Sequence, residues 1–172
     1  AEGDRAAYRK AGRIRFVAQW RTGRGNGVEA GGTEDQAIAA LLHDAAEDQG
    51  GELRLEDIRS RFGSAVADLV LACSDSLTEG KKEPWLERKE SHIARLTVAS
   101  AEVHLVIAAD KLANARSMVA DVRARGAEAM EIFTGGIKGT LWYLDQMSAV
   151  LESGPVGASV LGQALVRTKG TR

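Results

Sequence analysis

Six consecutive positions, His43-Asp44-Ala45-Ala46-Glu47-Asp48, carry a histidine and three carboxylates directly behind the apolar pair Leu41-Leu42. Such a set is costly in a core and useful around a metal ion. On a helix His43 and Glu47 are four positions apart, as are Asp44 and Asp48, so the polar groups read as one continuous band that can converge on a point. His43 and Asp44 sit about 100° apart around the axis, which suits two ligands reaching one cation from neighbouring edges. Imidazole with carboxylates fits a borderline metal such as manganese, iron or zinc.

A further carboxylate falls in an unexpected place. Val103–Ala109 is apolar on nearly every face apart from His104, and Asp110 follows on the line of Val106 and Val103, a stripe that ought to be buried. A buried carboxylate needs a cation. Lys111 or Arg116 could supply it as an ordinary salt bridge, and a metal shared with His43 and Asp44 could supply it equally well; spacing leaves both open. Glu87, Arg88, Lys89 and Glu90 read from their pattern alone as a solvated charged face. Cys73, the only cysteine, lies in an apolar setting and reads as a small core residue, with no internal disulfide available to it.

The elements that must hold these groups are helices. Residues 4–20 have helical propensity with poor periodicity, and the glycine-rich stretch 21–32 reads as a mobile loop. Thr33 and Gln36 have capping-box spacing, and Glu34 and Asp35 favour the positive end of the dipole, so the motif helix begins there. Its predicted buried stripe is Ile38, Leu41, Leu42 and Ala45, and Gly50-Gly51 ends it. Further helices are predicted at about 55–62, 64–73 and 85–98, the last with Pro84 at its start, and then from a Ser100 cap onward. Two more are expected at 127–133 and 137–151, with Trp142 and Tyr143 as packing residues. No alternating apolar run suggests a strand, so the expected fold is all-α.

At 172 residues, 44% of them hydrophobic and 27% charged, the chain can bury one sizeable core. The sequence divides into a basic, glycine-rich segment (1–32), a core (33–152) and a tail (153–172). Residues 1–27 carry a net charge of +5 and the remainder −6, so the basic part could meet a polyanionic nucleotide or be a solvated arm. Near-neutral charge without an aromatic-basic ladder argues against nucleic acid as a partner. No run approaches the roughly 20 apolar residues of a membrane span, and the first residues lack the apolar segment of a signal peptide. A cytoplasmic protein with no membrane partner is expected.

Taken in order, ALLHDAAED, a short helix ending in RFG, Ser74-Asp75, Trp85-Leu86-Glu87-Arg88-Lys89-Glu90 and Ala109-Asp110-Lys111-Leu112-Ala113-Asn114-Ala115-Arg116 resemble the HD-domain phosphohydrolases. Within these they resemble the RelA/SpoT-type alarmone hydrolases, including the small stand-alone enzymes that remove pyrophosphate from the 3′ position of (p)ppGpp. The resemblance covers about residues 33–150 and implies an HD-domain helical bundle. It also implies a divalent metal, usually manganese, on His43, Asp44 and Asp110, with Glu47 and Asp48 positioning the attacking water. Arg88 and Lys89 match positions that meet the pyrophosphate, Asn114 a nucleoside-contacting asparagine, and Ser117 a position near the base. Lys111 is expected to buttress the site, and Arg24, with Arg21, to fill the basic role near the guanine.

One family feature is absent. The family carries a further metal-binding histidine upstream, and no histidine precedes His43 here. His92 and His104 read as structural or surface histidines. Three protein ligands can hold a catalytic metal when waters complete the shell. The implied activity is guanosine-3′,5′-bis(diphosphate) 3′-pyrophosphohydrolase; the alternatives are an HD phosphohydrolase on another nucleotide and a catalytically impaired nucleotide-binding module. A homo-oligomer is compatible with either reading.

Overall fold

The computed structural model describes residues 32–77 and 83–154. The segment 1–31, and with it Arg21 and Arg24, lies outside the described residues, as does the tail from 155 onward. Among the described residues every regular element is helical: α1 (Glu34–Leu42), α2 (Ala45–Asp48), α3 (Gly51–Phe62), α4 (Ser64–Cys73), α5 (Trp85–Leu96), α6 (Ala101–Arg125) and α7 (Gly136–Ser153). A 3-10 turn at Ala127–Met130 follows α6.

The capping box at α1 forms as its residues dictate. Thr33 Oγ1 accepts from the Gln36 amide at 3.3 Å, and Gln36 Oε1 accepts from the Thr33 amide at 2.7 Å. The motif helix, however, is not continuous. It breaks after Leu42, and His43 and Asp44 form a corner before the single turn of α2. Gly50 then adopts φ 99°, a left-handed turn open to glycine, which lets α3 start at once at Gly51 rather than near Leu55. The buried stripe also shifts: Leu41 is 42% exposed, whereas Gln36, Ala39 and Ala40 are buried. Small residues face inward because α1 packs on both α4 and α6, and alanine lets the backbones approach closely.

α6 is the axis of the molecule. Val103, Val106, Ile107, Ala108, Ala109 and Leu112 are all buried along it, and Ser100 caps its start by accepting from the Val103 amide. Its apolar residues share a core with Ile58, Val66, Val70, Leu96, Met147 and Leu151. Removing a buried leucine such as Leu112 from such a core costs about 2–5 kcal/mol. α5 stops at Leu96, so Val98 is left 86% exposed, and the segment predicted as a helix over 127–133 is instead the short 3-10 turn. α5 packs on α7, forming a layer beside the α1/α4/α6 block.

His92 and His104 are interior residues. His104 Nε2–H donates to the Leu96 carbonyl at 2.7 Å, while both ring nitrogens of His92 lack a partner. No helix among the described residues is long and apolar enough to cross a membrane.

Candidate active site

The corner at His43-Asp44 is where α1 meets α6. His43 Nδ1 lies 2.8 Å from the Ala40 carbonyl; a carbonyl can only accept, so Nδ1 carries the proton and Nε2 is turned the other way. Nε2 faces two carboxylates, Asp44 Oδ1 at 3.1 Å and Asp110 Oδ1 at 3.2 Å. His43 and Asp110, 67 positions apart in the chain, thus meet because the α1 corner abuts the middle of α6. Asp110 is 6% exposed, and three donors meet it: His43, Lys111 Nζ at 2.7 Å on Oδ2 and Asn114 Nδ2 at 2.8 Å on Oδ1.

The electrostatics follow from burial and charge together. Burial disfavours the imidazolium of His43, but Asp110 and Asp44 outweigh it and hold the ring's pKa well above its usual value. Burial likewise opposes ionisation of Asp110, and Lys111 and His43 overcome it, keeping the carboxyl far below its usual range. Lys111 is locked in its charged form by the same pairing, against its own burial. The cation beside Asp110 is therefore Lys111, together with His43, and not Arg116. Cys73 is half-buried nearby, its thiol pushed up to about 12 by burial and then by Asp110, which leaves it unreactive near neutral pH.

Among the described residues no group of three or more His, Cys, Asp or Glu side chains is arranged so as to hold a metal ion. The chemistry of the donor set nevertheless fits a divalent cation. His43 Nε2 lies against the two carboxylates, and a cation in place of its proton would find one imidazole nitrogen of fixed tautomer and two carboxylates. Lys111 and Asn114 already orient the Asp110 carboxylate from behind.

A second cluster stands beside the first. Asp75, just past the end of α4, is buried and accepts from Arg88 Nη1 at 2.9 and 2.7 Å and from Lys89 Nζ at 2.6 Å. Its amide donates to Glu47 Oε2 at 3.2 Å, which ties α2 to the end of α4. Burial raises the pKa of Asp75, but the contacts with Glu47 and Lys89 and the charge of Arg88 prevail and depress it. Arg95 Nη2 adds bonds to the carbonyls of Ser74 and Asp75 at 3.0 and 3.3 Å. Arg88 and Lys89 are thus not a solvated face; they are anchored on a carboxylate. The sequence alone assigns Asp75 no role. Its signal was an acidic residue ending an apolar helix, with two cations thirteen and fourteen positions later.

A cleft of about 330 Å³ is lined by Lys89 and Lys111, one from each cluster's ion pairs, together with Asn114, Trp85, Phe133 and Tyr143. The ring of Tyr143 lies under both ammonium groups, 4.9 Å from Lys89 Nζ and 5.7 Å from Lys111 Nζ. Tyr143 and Trp85, read from sequence as packing or left without a role, are lining residues. Of the expected site residues, Lys89 and Asn114 line the cleft; His43, Asp44, Glu47, Arg88 and Asp110 do not, Asp48 is exposed at the end of α2, and Ser117 is half-buried on α6 and away from the lining.

A model of the HD domain family matches residues 27–135, and the chain belongs to that family. Its relatives narrow the class. Guanosine-3′,5′-bis(diphosphate) 3′-pyrophosphohydrolase MESH1 from Homo sapiens is 37% identical over 91 residues, covering 52% of this chain and 48% of that protein. The protein of the same name from Drosophila melanogaster is 36% identical over 92 residues, covering 53% and 48%. The chain spans about half the length of the curated relatives it matches. A crystal structure of lmo0812 from Listeria monocytogenes EGD-e superposes with a TM-score of 0.72 at 30% identity, covering 91% of this chain and 95% of that one.

Proposed function

We propose that this chain is a metal-dependent phosphohydrolase of the guanosine-3′,5′-bis(diphosphate) 3′-pyrophosphohydrolase type, with manganese as its divalent cofactor. The observation that carries the reading is the aim of His43: its Nε2 is turned by the Ala40 carbonyl toward Asp44 and Asp110 beside a cleft edged by two lysines. His43, Asp44 and Asp110 would hold the cation. When bound, it would polarise a phosphoryl oxygen and lower the pKa of a water. Glu47, steadied by the Asp75 amide, and Asp48 would orient that water toward the 3′ phosphorus. Lys89, held at a set position by Asp75, would offset the charge of the pyrophosphoryl group as it passes to the water, its bond to the ribose 3′ oxygen breaking and that oxygen leaving protonated as the hydroxyl of GDP, with Arg88 behind it. Asn114 would fix the nucleoside while supporting Asp110. The likeness to MESH1 supports the choice of substrate.

The test is hydrolysis of ppGpp by the purified chain with manganese, alongside Glu47→Gln and Asp110→Ala. Pyrophosphate release that falls by 100-fold or more in both variants is expected, as a lost water-orienting or metal-holding group requires. Equal release by wild type and Glu47→Gln would sink the assignment. A second reading, a nucleotide-binding module without turnover, is favoured by the missing histidine before His43. It predicts ppGpp binding with no pyrophosphate released at any manganese concentration.

A further inference from the structure

The cleft brings cations and aromatic rings together. Among its lining residues are Lys89 and Lys111, each tied to a carboxylate of one of the two buried clusters. Trp85, the first residue of α5 and one turn before Lys89, also lines it, and its indole is closely seated. A methyl-sized Cβ at Gly135 would stand 2.8 Å from the Trp85 ring, and one at Gly139 would stand 3.2 Å from it. Two glycines at the start of α7 therefore keep their side-chain space clear for the benzo half of one indole. Trp142 and Tyr143 meet the same indole in edge-to-face fashion, at 6.3 Å and 62° and at 6.4 Å and 71°. Trp85 is fixed by backbone on one side and by two rings on others, yet it remains half-buried and borders the cleft.

From this seating we infer that Trp85 is a specificity-determining residue, the platform on which the base of a bound nucleotide stacks while its phosphates face Lys89 and Lys111. The inference rests on the proposed nucleotide substrate and adds where the base goes. A rigid aromatic surface discriminates by the area of the base laid on it, so purine nucleotides should be preferred over pyrimidine ones. Stacking is sequence-tolerant, since every base has a π-face, so the platform sets purine against pyrimidine and leaves guanine against adenine to polar groups.

The experiment is calorimetric titration of the full chain with GDP, CDP and inorganic diphosphate, repeated with Trp85→Leu and Trp85→Phe. Wild type is expected to bind GDP more tightly than CDP. Trp85→Leu should weaken GDP by about 10-fold, within the range a base–aromatic stack supplies, and bring GDP and CDP together. Diphosphate, which has no base, should bind wild type and variants alike, and Trp85→Phe should keep most of the GDP affinity. If Trp85→Leu weakens diphosphate as much as GDP, the indole only supports the lysines and the inference is overturned. Unchanged GDP binding in Trp85→Leu overturns it too. Failure of the hydrolase reading would show separately, as absent turnover of ppGpp by wild type.

Discussion

At the scale of single residues, the two carboxylates around His43 Nε2 decide what that nitrogen holds. Asp44 and Asp110 raise the affinity of that nitrogen for a proton, against the effect of burial. On the proposed assignment the same carboxylates would also favour a cation there, and a proton and a metal could not both occupy that nitrogen. Manganese uptake at pH 7 should therefore release about one proton per site, measurable by calorimetry in buffers of differing ionisation enthalpy. Binding without proton release would mean that the metal sits elsewhere. This pairing was legible in the sequence only in part. His43 and Asp44 announce themselves by adjacency, and Asp110 by its place in an apolar stripe. That they share one oxygen-lined point depends on the α1 corner, which no local spacing encodes.

At the scale of elements, Asp75 joins three helices that the chain connects only through longer segments. It sits at the end of α4, its amide holds Glu47 on α2, and its carboxylate holds Arg88 and Lys89 on α5. Asp75→Ala would leave two cations around a buried position without their counterion, a change that costs about 3–5 kcal/mol. A drop of that size in urea-derived stability, with ppGpp affinity lost through misplacement of Lys89, is the expected result. A loss below 1 kcal/mol would show that solvent replaces the carboxylate. Helix starts were readable because caps are local: Thr33 with Gln36, Ser100 and Pro84 all act within one turn. The break at His43-Asp44 was not readable, since Ala45-Ala46-Glu47-Asp48 would extend a helix willingly. The corner is set by tertiary packing of α1 on α4 and α6 and by the attachment of Glu47 to the Asp75 amide. The inward turn of Ala39 and Ala40 in place of Leu41 has the same origin.

At the scale of the whole molecule, buried histidines shape the response to pH. Burial, followed by the charges of Lys111, Lys89 and Arg95, lowers the pKa of His92 to about 3. The unfolded chain takes up a proton there below about pH 6.5 while the folded one resists it. Stability from this group is therefore present above pH 6.5 and lost as pH falls toward 3, at up to about 1.4 kcal/mol per pH unit. His43 acts in the opposite sense: its raised pKa contributes stability that is full below pH 6.5 and fades as pH rises through the folded value. Urea midpoints measured with a chelator should thus peak near pH 6.5, and His92→Leu should flatten the acid limb. An acid limb unchanged in that variant would assign the loss to carboxylates instead.

The layering of the fold has a consequence for how such a protein can change over evolutionary time. The carboxylates and His43 belong to the α1/α4/α6 block, whereas Trp85, Lys89 and Tyr143 ride on the α5/α7 layer. On the proposed assignments the ion-holding groups and the base-stacking ring would be inherited on separate pieces of chain, with Lys111 and Asn114 of α6 reaching into the same cleft. Mutations along the seam of α5 and α7 would then retune what is accepted while leaving the His43 and Asp110 corner untouched, which would make this architecture a ready source of new preferences.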